Sequence, residues 1–149
     1  MTVKLRESPA GHLAAACAEA SVRGVVTLQE IPFLPQAEAT REPDQGDALR
    51  LGPGWYLVVG AVPPGAVDTS AARTTLELAG PYARDVLAHG CRLDLHPRVF
   101  PPGAAARTNV AKAVVVLHRL GDAYRLYVGS SYADYLTRWL LDAMTPYVR

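Results

Sequence analysis

Cysteine is almost missing: Cys17 and Cys91 are the only two among 149 residues, which excludes the dense disulfide framework of a small secreted domain. An excess of one charge is missing too. Lys and Arg total 15 against 14 Asp and Glu, a net charge of +1, and only 19% of residues are charged. That balance excludes the basic stripe of a nucleic-acid binder. A hydrophobic content of 50% excludes a disordered chain. No apolar run, such as residues 113–117 (AVVVL), comes near the roughly 20 residues of a membrane-crossing helix. Lys4 and Arg6 are not followed by an apolar stretch with a small-residue cleavage site, so no secretory leader is expected and the expected compartment is the cytoplasm. Internal repeats, low-complexity tracts and heptads are absent as well.

The chain does hold 12 glycines and 12 prolines, which punctuate it into short elements. Ser8-Pro9 reads as an N-cap with proline at the first helical position, opening an alanine-rich helix that runs to Ala20 and stops at Arg23-Gly24. Residues 25–30 alternate as a strand. Residues 41–47 (REPDQGD) form a loop, and residues 55–59 (WYLVV) are a buried strand closed by Pro63-Pro64-Gly65. Residues 74–78 alternate again. Gly80-Pro81 opens a helix with Ala83, Val86 and Leu87 at helical spacing and Gly90 as its C′ residue.

Residues 96–103 (HPRVFPPG) carry three prolines and cannot be regular. Residues 113–118 and 124–128 read as two strands joined by a turn at 120–123. A final helix follows, with a capping box at Ser131 and Asp134 and a core stripe of Ala133, Leu136, Leu140 and Ala143, widened by Trp139. The order implies an α+β fold: a small, mainly antiparallel sheet with helices packed on one face. One domain spans 1–149, with two small lobes, 1–66 and 67–149, dividing near the Pro63-Pro64-Gly65 turn.

Groups able to do chemistry are few. His89, Cys91 and His96 put three zinc-type donors within eight residues, but a structural site needs four and no second close pair exists. Cys91 with His89, His96 or His118 as base is a nucleophile pairing that any chain with two Cys and four His would allow. The bland alternative makes His89 a helix end and Cys91 a small hydrophobe. Neither a dinucleotide-binding G-x-G-x-x-G nor a phosphate-binding G-x-x-x-x-G-K-[ST] is found. Residues 51–55 (LGPGW) enter a strand and read as a turn. The carboxylates are scattered, and the aromatic set of Tyr124, Tyr127, Tyr132, Tyr135 and Trp139 reads as core and surface of the last hairpin and helix. This pattern favours a binding or subunit role.

One long run is specific. Residues 76–91 (LELAGPYARDVLAHGC), continuing through 92–103 (RLDLHPRVFPPG), resemble the gamma subunit of heterotetrameric sarcosine oxidase. Residues 124–128 (YRLYV) and 130–143 (SSYADYLTRWLLDA) are similar to that family's closing segment, so the resemblance is best over 74–149. SPAGHLAAACAEAS near the start, QEIPFLPQ at 29–36 and Gly52-Pro53-x-Trp55 agree more weakly. The chain departs from the family pattern in three places. Only residues 37–51 separate QEIPFLPQ from the GPxW turn, Gly54 stands where an acid is common, and Ala105 and Arg107 stand where Cys and Gln are common.

The resemblance implies a fold related to part of the folate-binding domain of the glycine-cleavage aminomethyltransferase. It implies alpha, beta and delta subunits as partners in a complex that oxidatively demethylates sarcosine. FAD, covalent FMN, NAD, tetrahydrofolate and zinc would all sit on those other subunits, with no cofactor and no catalytic residue in this chain. The same subunit of a complex oxidising another N-methylated amine, or a stand-alone folate or small-molecule binding module, are the alternatives; a Cys-dependent hydrolase ranks behind them. Arg98 and Phe100, an arginine and an aromatic on a proline-stiffened loop, are the expected interface anchors. The alternative is that Phe100 folds back over its own core.

Overall fold

The computed structural model describes residues 7–149, so Lys4 and Arg6 lie outside the described residues. Three helices, α1 (Ala14–Ala20), α2 (Ala83–Ala88) and α3 (Ala133–Val148), accompany nine strands. These are β1 (Thr27–Ile31), β2 (Gln36–Ala39), β3 (Asp47–Gly52), β4 (Trp55–Val59), β5 (Val67–Asp68), β6 (Arg73–Ala79), β7 (Ala105–Val110), β8 (Ala113–Leu120) and β9 (Ala123–Gly129). All the pairings are antiparallel. The strands form a five-stranded sheet ordered β1-β6-β9-β8-β7 and a four-stranded sheet ordered β3-β4-β2-β5.

The α+β class and the helical cover on one face agree with the sequence reading, but the structure has a second sheet. Period-two alternation explains the layering. From the five-stranded sheet, Leu76, Leu78, Val115, Leu117, Leu126 and Val128 join Val86, Leu87, Leu136, Leu140 and Met144 of the helices in the main core. The intervening residues point the other way, and Val116 and Tyr127 pack with Leu49, Leu57 and Val59 of the four-stranded sheet in a second, smaller core. Strand β1, from the first half of the chain, pairs with β6 from the second.

Two glycines hold the α2 region in place. Gly80 has φ +114°, and a Cβ there would lie 2.6 Å from the Val25 carbonyl oxygen. At Gly90 a Cβ would lie 2.5 Å from the Trp139 ring, so this glycine serves close packing rather than the left-handed cap expected of it. The expected helix caps also differ. The Ser8 carbonyl accepts from Gly11 N–H in a 3-10 turn, and α1 starts only at Ala14 with no side-chain cap. Asp134 binds His12 and Arg138 in place of closing a capping box.

Candidate functional site

Residues 96–103 link α2 and the bridge at Cys91–Val110 to the start of β7. Proline restricts φ at three positions, and hydrogen bonds fix most of the rest. Asp94 Oδ1 accepts from His96 N–H, and His96 Nδ1 accepts from Arg98 N–H. Val99 and Phe100 both donate to the His96 carbonyl at 2.8 Å. The Arg119 guanidinium donates to the Phe100 carbonyl at 2.8 Å, and Gly103 N–H donates to the Arg119 carbonyl at 2.8 Å. The loop is thus pinned to the end of β8.

That geometry corrects one expectation. Phe100 is only 4% exposed and belongs to the main core, because the turn at His96 directs it inward to bury its ring. It is not an exposed anchor. Arg98 is exposed, and Val99 beside it is 58% exposed.

The four candidate donor residues do not assemble. His89 Nε2 sits 2.9 Å from the Tyr147 hydroxyl, and His96 is taken up within the loop. Burial pushes the Cys91 thiol up, against weaker opposing bonds from Leu93 and Thr108. Burial also pushes Cys17 up, with Glu30 adding to it. Neither is therefore an activated thiolate. Among the described residues no hydrogen bond links a cysteine to a histidine, and no cluster of three metal donors occurs.

His118 lies apart from the others, 8% exposed, on the face of β8 turned to the second sheet. Burial first, and then the Arg125 guanidinium, push its pKa down, while Asp47 opposes them. Arg125 itself bonds Glu77 at 3.1 Å across the β6–β9 pair. Tyr127, two residues on, has a buried hydroxyl with no hydrogen-bond partner among the described residues, and burial pushes its pKa up against the nearby Arg125 guanidinium. Sequence reasoning missed this inter-sheet seam, including Arg107 set over the Trp55 ring at 5.5 Å. The one signal available was the period-two offset of Tyr127 and His118 from their leucine and valine neighbours.

The comparisons with known proteins can be set beside the positions of these residues. The profile of the family described as "Sarcosine oxidase, gamma subunit family" matches residues 58–146. The sarcosine oxidase gamma subunits of Arthrobacter sp and Corynebacterium sp. (strain P-1) are 33% and 31% identical, each over 98% of this chain and 93% of their own. The chain belongs to the sarcosine oxidase gamma subunit family.

The three-dimensional match agrees. A chain of the heterotetrameric sarcosine oxidase from Corynebacterium sp. U-96, solved with pyrrole 2-carboxylate, superposes with a TM-score of 0.88 at 30% identity, covering 98% of both chains. The curated matches extend over 189 positions against 149 residues here, so those gamma subunits carry about 40 residues that this one lacks. No helix among the described residues of this gamma-family chain is long and apolar enough to cross a membrane.

Proposed function

We propose that this chain is the non-catalytic gamma subunit of a heterotetrameric sarcosine oxidase, assembled with alpha, beta and delta subunits in the cytoplasm. The observation carrying the reading is the end-to-end superposition on a chain of such a complex. The complex takes two electrons from the N-methyl group of sarcosine and reduces oxygen to hydrogen peroxide. Glycine is released, and the one-carbon unit leaves as formaldehyde or as 5,10-methylenetetrahydrofolate. FAD, covalent FMN, NAD, tetrahydrofolate and zinc belong to the other subunits in this reading.

The alternative reading is the corresponding subunit of a related complex acting on another N-methylated amine. An affinity-tagged copy expressed in its native cells tests both. Flavin absorbance in the eluate with sarcosine-dependent peroxide release supports the main reading. Flavin with peroxide release only from a different N-methyl amine supports the alternative. An eluate with neither flavin nor larger subunits overturns both.

A further inference from the structure

Each sheet ends on two edge strands, and an edge presents backbone N–H and C=O groups that a further strand can take. Three of the four edges are blunted. β5 is two residues long, β3 shifts register between Arg50 and Gly52, and on β1 the Ser21 hydroxyl already accepts from the Leu28 N–H at 2.9 Å. β7 carries none of these devices.

Its register shows which groups face outward. Val110 and Ala113 flank the two-residue turn to β8, and Arg119 N–H donates to the Ala104 carbonyl at 2.9 Å. The antiparallel alternation therefore turns the backbone groups of Ala106, Thr108 and Val110 toward β8, and those of Ala105, Arg107 and Asn109 away from it. The chain begins a sixth strand on that outer side and abandons it. Cys91 bridges Val110, and Ala111 N–H donates to the Gly90 carbonyl at 2.9 Å. Among the described residues no hydrogen bond continues from there to the outward N–H and C=O of Ala105 and Arg107. The Arg107 side chain is exposed, and among the described residues no carboxylate lies within ion-pair distance of it.

We propose that an extended segment of another subunit of the complex docks on β7 as its sixth-strand neighbour, with an acidic side chain beside Arg107. Main-chain bonds to Ala105 and Arg107 supply the pairing, and the opposite charge next to Arg107 sets its register. Charge selects this occupant over a second copy of the chain. Two β7 edges paired antiparallel about this stretch would set Arg107 against Arg107. The inference rests on the subunit reading given above and names the place where that subunit is held.

The test compares amide hydrogen exchange, read residue by residue, in the purified chain and in the complex recovered with the tagged chain. Exchange at Ala105 and Arg107 should slow by about a hundredfold or more on assembly, while Thr108, bonded to β8 in both states, should change little. Arg107→Glu should weaken assembly about tenfold or more, and Arg107→Lys should preserve it. Arg107 is exposed, so both variants should keep the wild-type melting temperature, which separates loss of docking from loss of fold. A complex that forms with exchange at Ala105 and Arg107 unchanged overturns the edge docking and leaves the subunit reading standing. Slowed exchange in the purified chain at a doubled mass overturns it too, by making the occupant a second copy. Wild-type assembly by the Arg107→Glu variant overturns the acidic partner. Recovery of no other subunit overturns both this inference and the reading beneath it.

Discussion

Phe100 and Arg98 stand two residues apart on one loop and answer to different physics. The ring of Phe100 is buried in the main core and the side chain of Arg98 is in solvent. Phe100→Ala should therefore cost about 3–5 kcal/mol through lost burial and the cavity left behind. Arg98→Ala should cost under about 0.5 kcal/mol, as exposed sites do. Denaturant unfolding of the full chain checks both. His118 makes a second residue-scale prediction. Its folded pKa is pushed below the ordinary imidazole value of about 6.5 by burial and Arg125, so the unfolded chain binds the proton more readily. The stability this contributes is present above about pH 6.5 and is lost as the pH falls below it. Melting temperature should drop between pH 7.5 and 5.5, and His118→Gln should flatten that drop. A wild-type and variant pair with the same slope would remove His118 as the cause.

At the scale of elements, legibility followed the strength of the pattern. The β8–β9 hairpin could be read because both strands are rich in β-branched and aromatic residues and Gly121, with φ +62°, starts the two-residue turn between them. Helix α2 could be read from Ala83, Val86 and Leu87. Strands β2 (QAEA), β5 (VD) and β7 (AARTNV) were not, because short, alanine-rich or half-polar segments gain their strand state from partners distant in sequence. Of the second sheet only β4 could be read, and the seam between the sheets was missed with the rest. The expected caps did not form: α1 and α3 have no side-chain cap, and the Asp134 carboxyl is held below its ordinary range first by His12 and then by Arg138. Gly80 sets the junction of β6 and α2. Gly80→Ala adds a Cβ at 2.6 Å from the Val25 carbonyl in a backbone conformation unfavourable to side chains. The expected loss is about 2 kcal/mol or more, read by thermal unfolding.

At the scale of the whole molecule, a gamma-family chain of a heterotetramer meets the other subunits through its surface. The purified chain alone should be colourless and should release no peroxide from sarcosine; a yellow isolated protein would overturn the subunit reading. Where it docks is a sharper question. The loop at 96–103 is held by the bonds of His96 and Arg119, so little conformational entropy remains to be lost when it is covered. Its exposed residues include Arg98 and the 58% exposed Val99, an arginine beside an apolar group, the kind of pairing enriched in interface cores. Arg98→Ala should weaken assembly by roughly 1–3 kcal/mol, the range of an interface anchor. Val99→Asp should do the same by placing a charge in a closing apolar contact. Both variants should keep the melting temperature of the isolated chain, since neither side chain enters the core. The measurement is the fraction of tagged chain that carries the larger subunits after a salt wash. If both variants retain wild-type fractions, the docking face lies elsewhere.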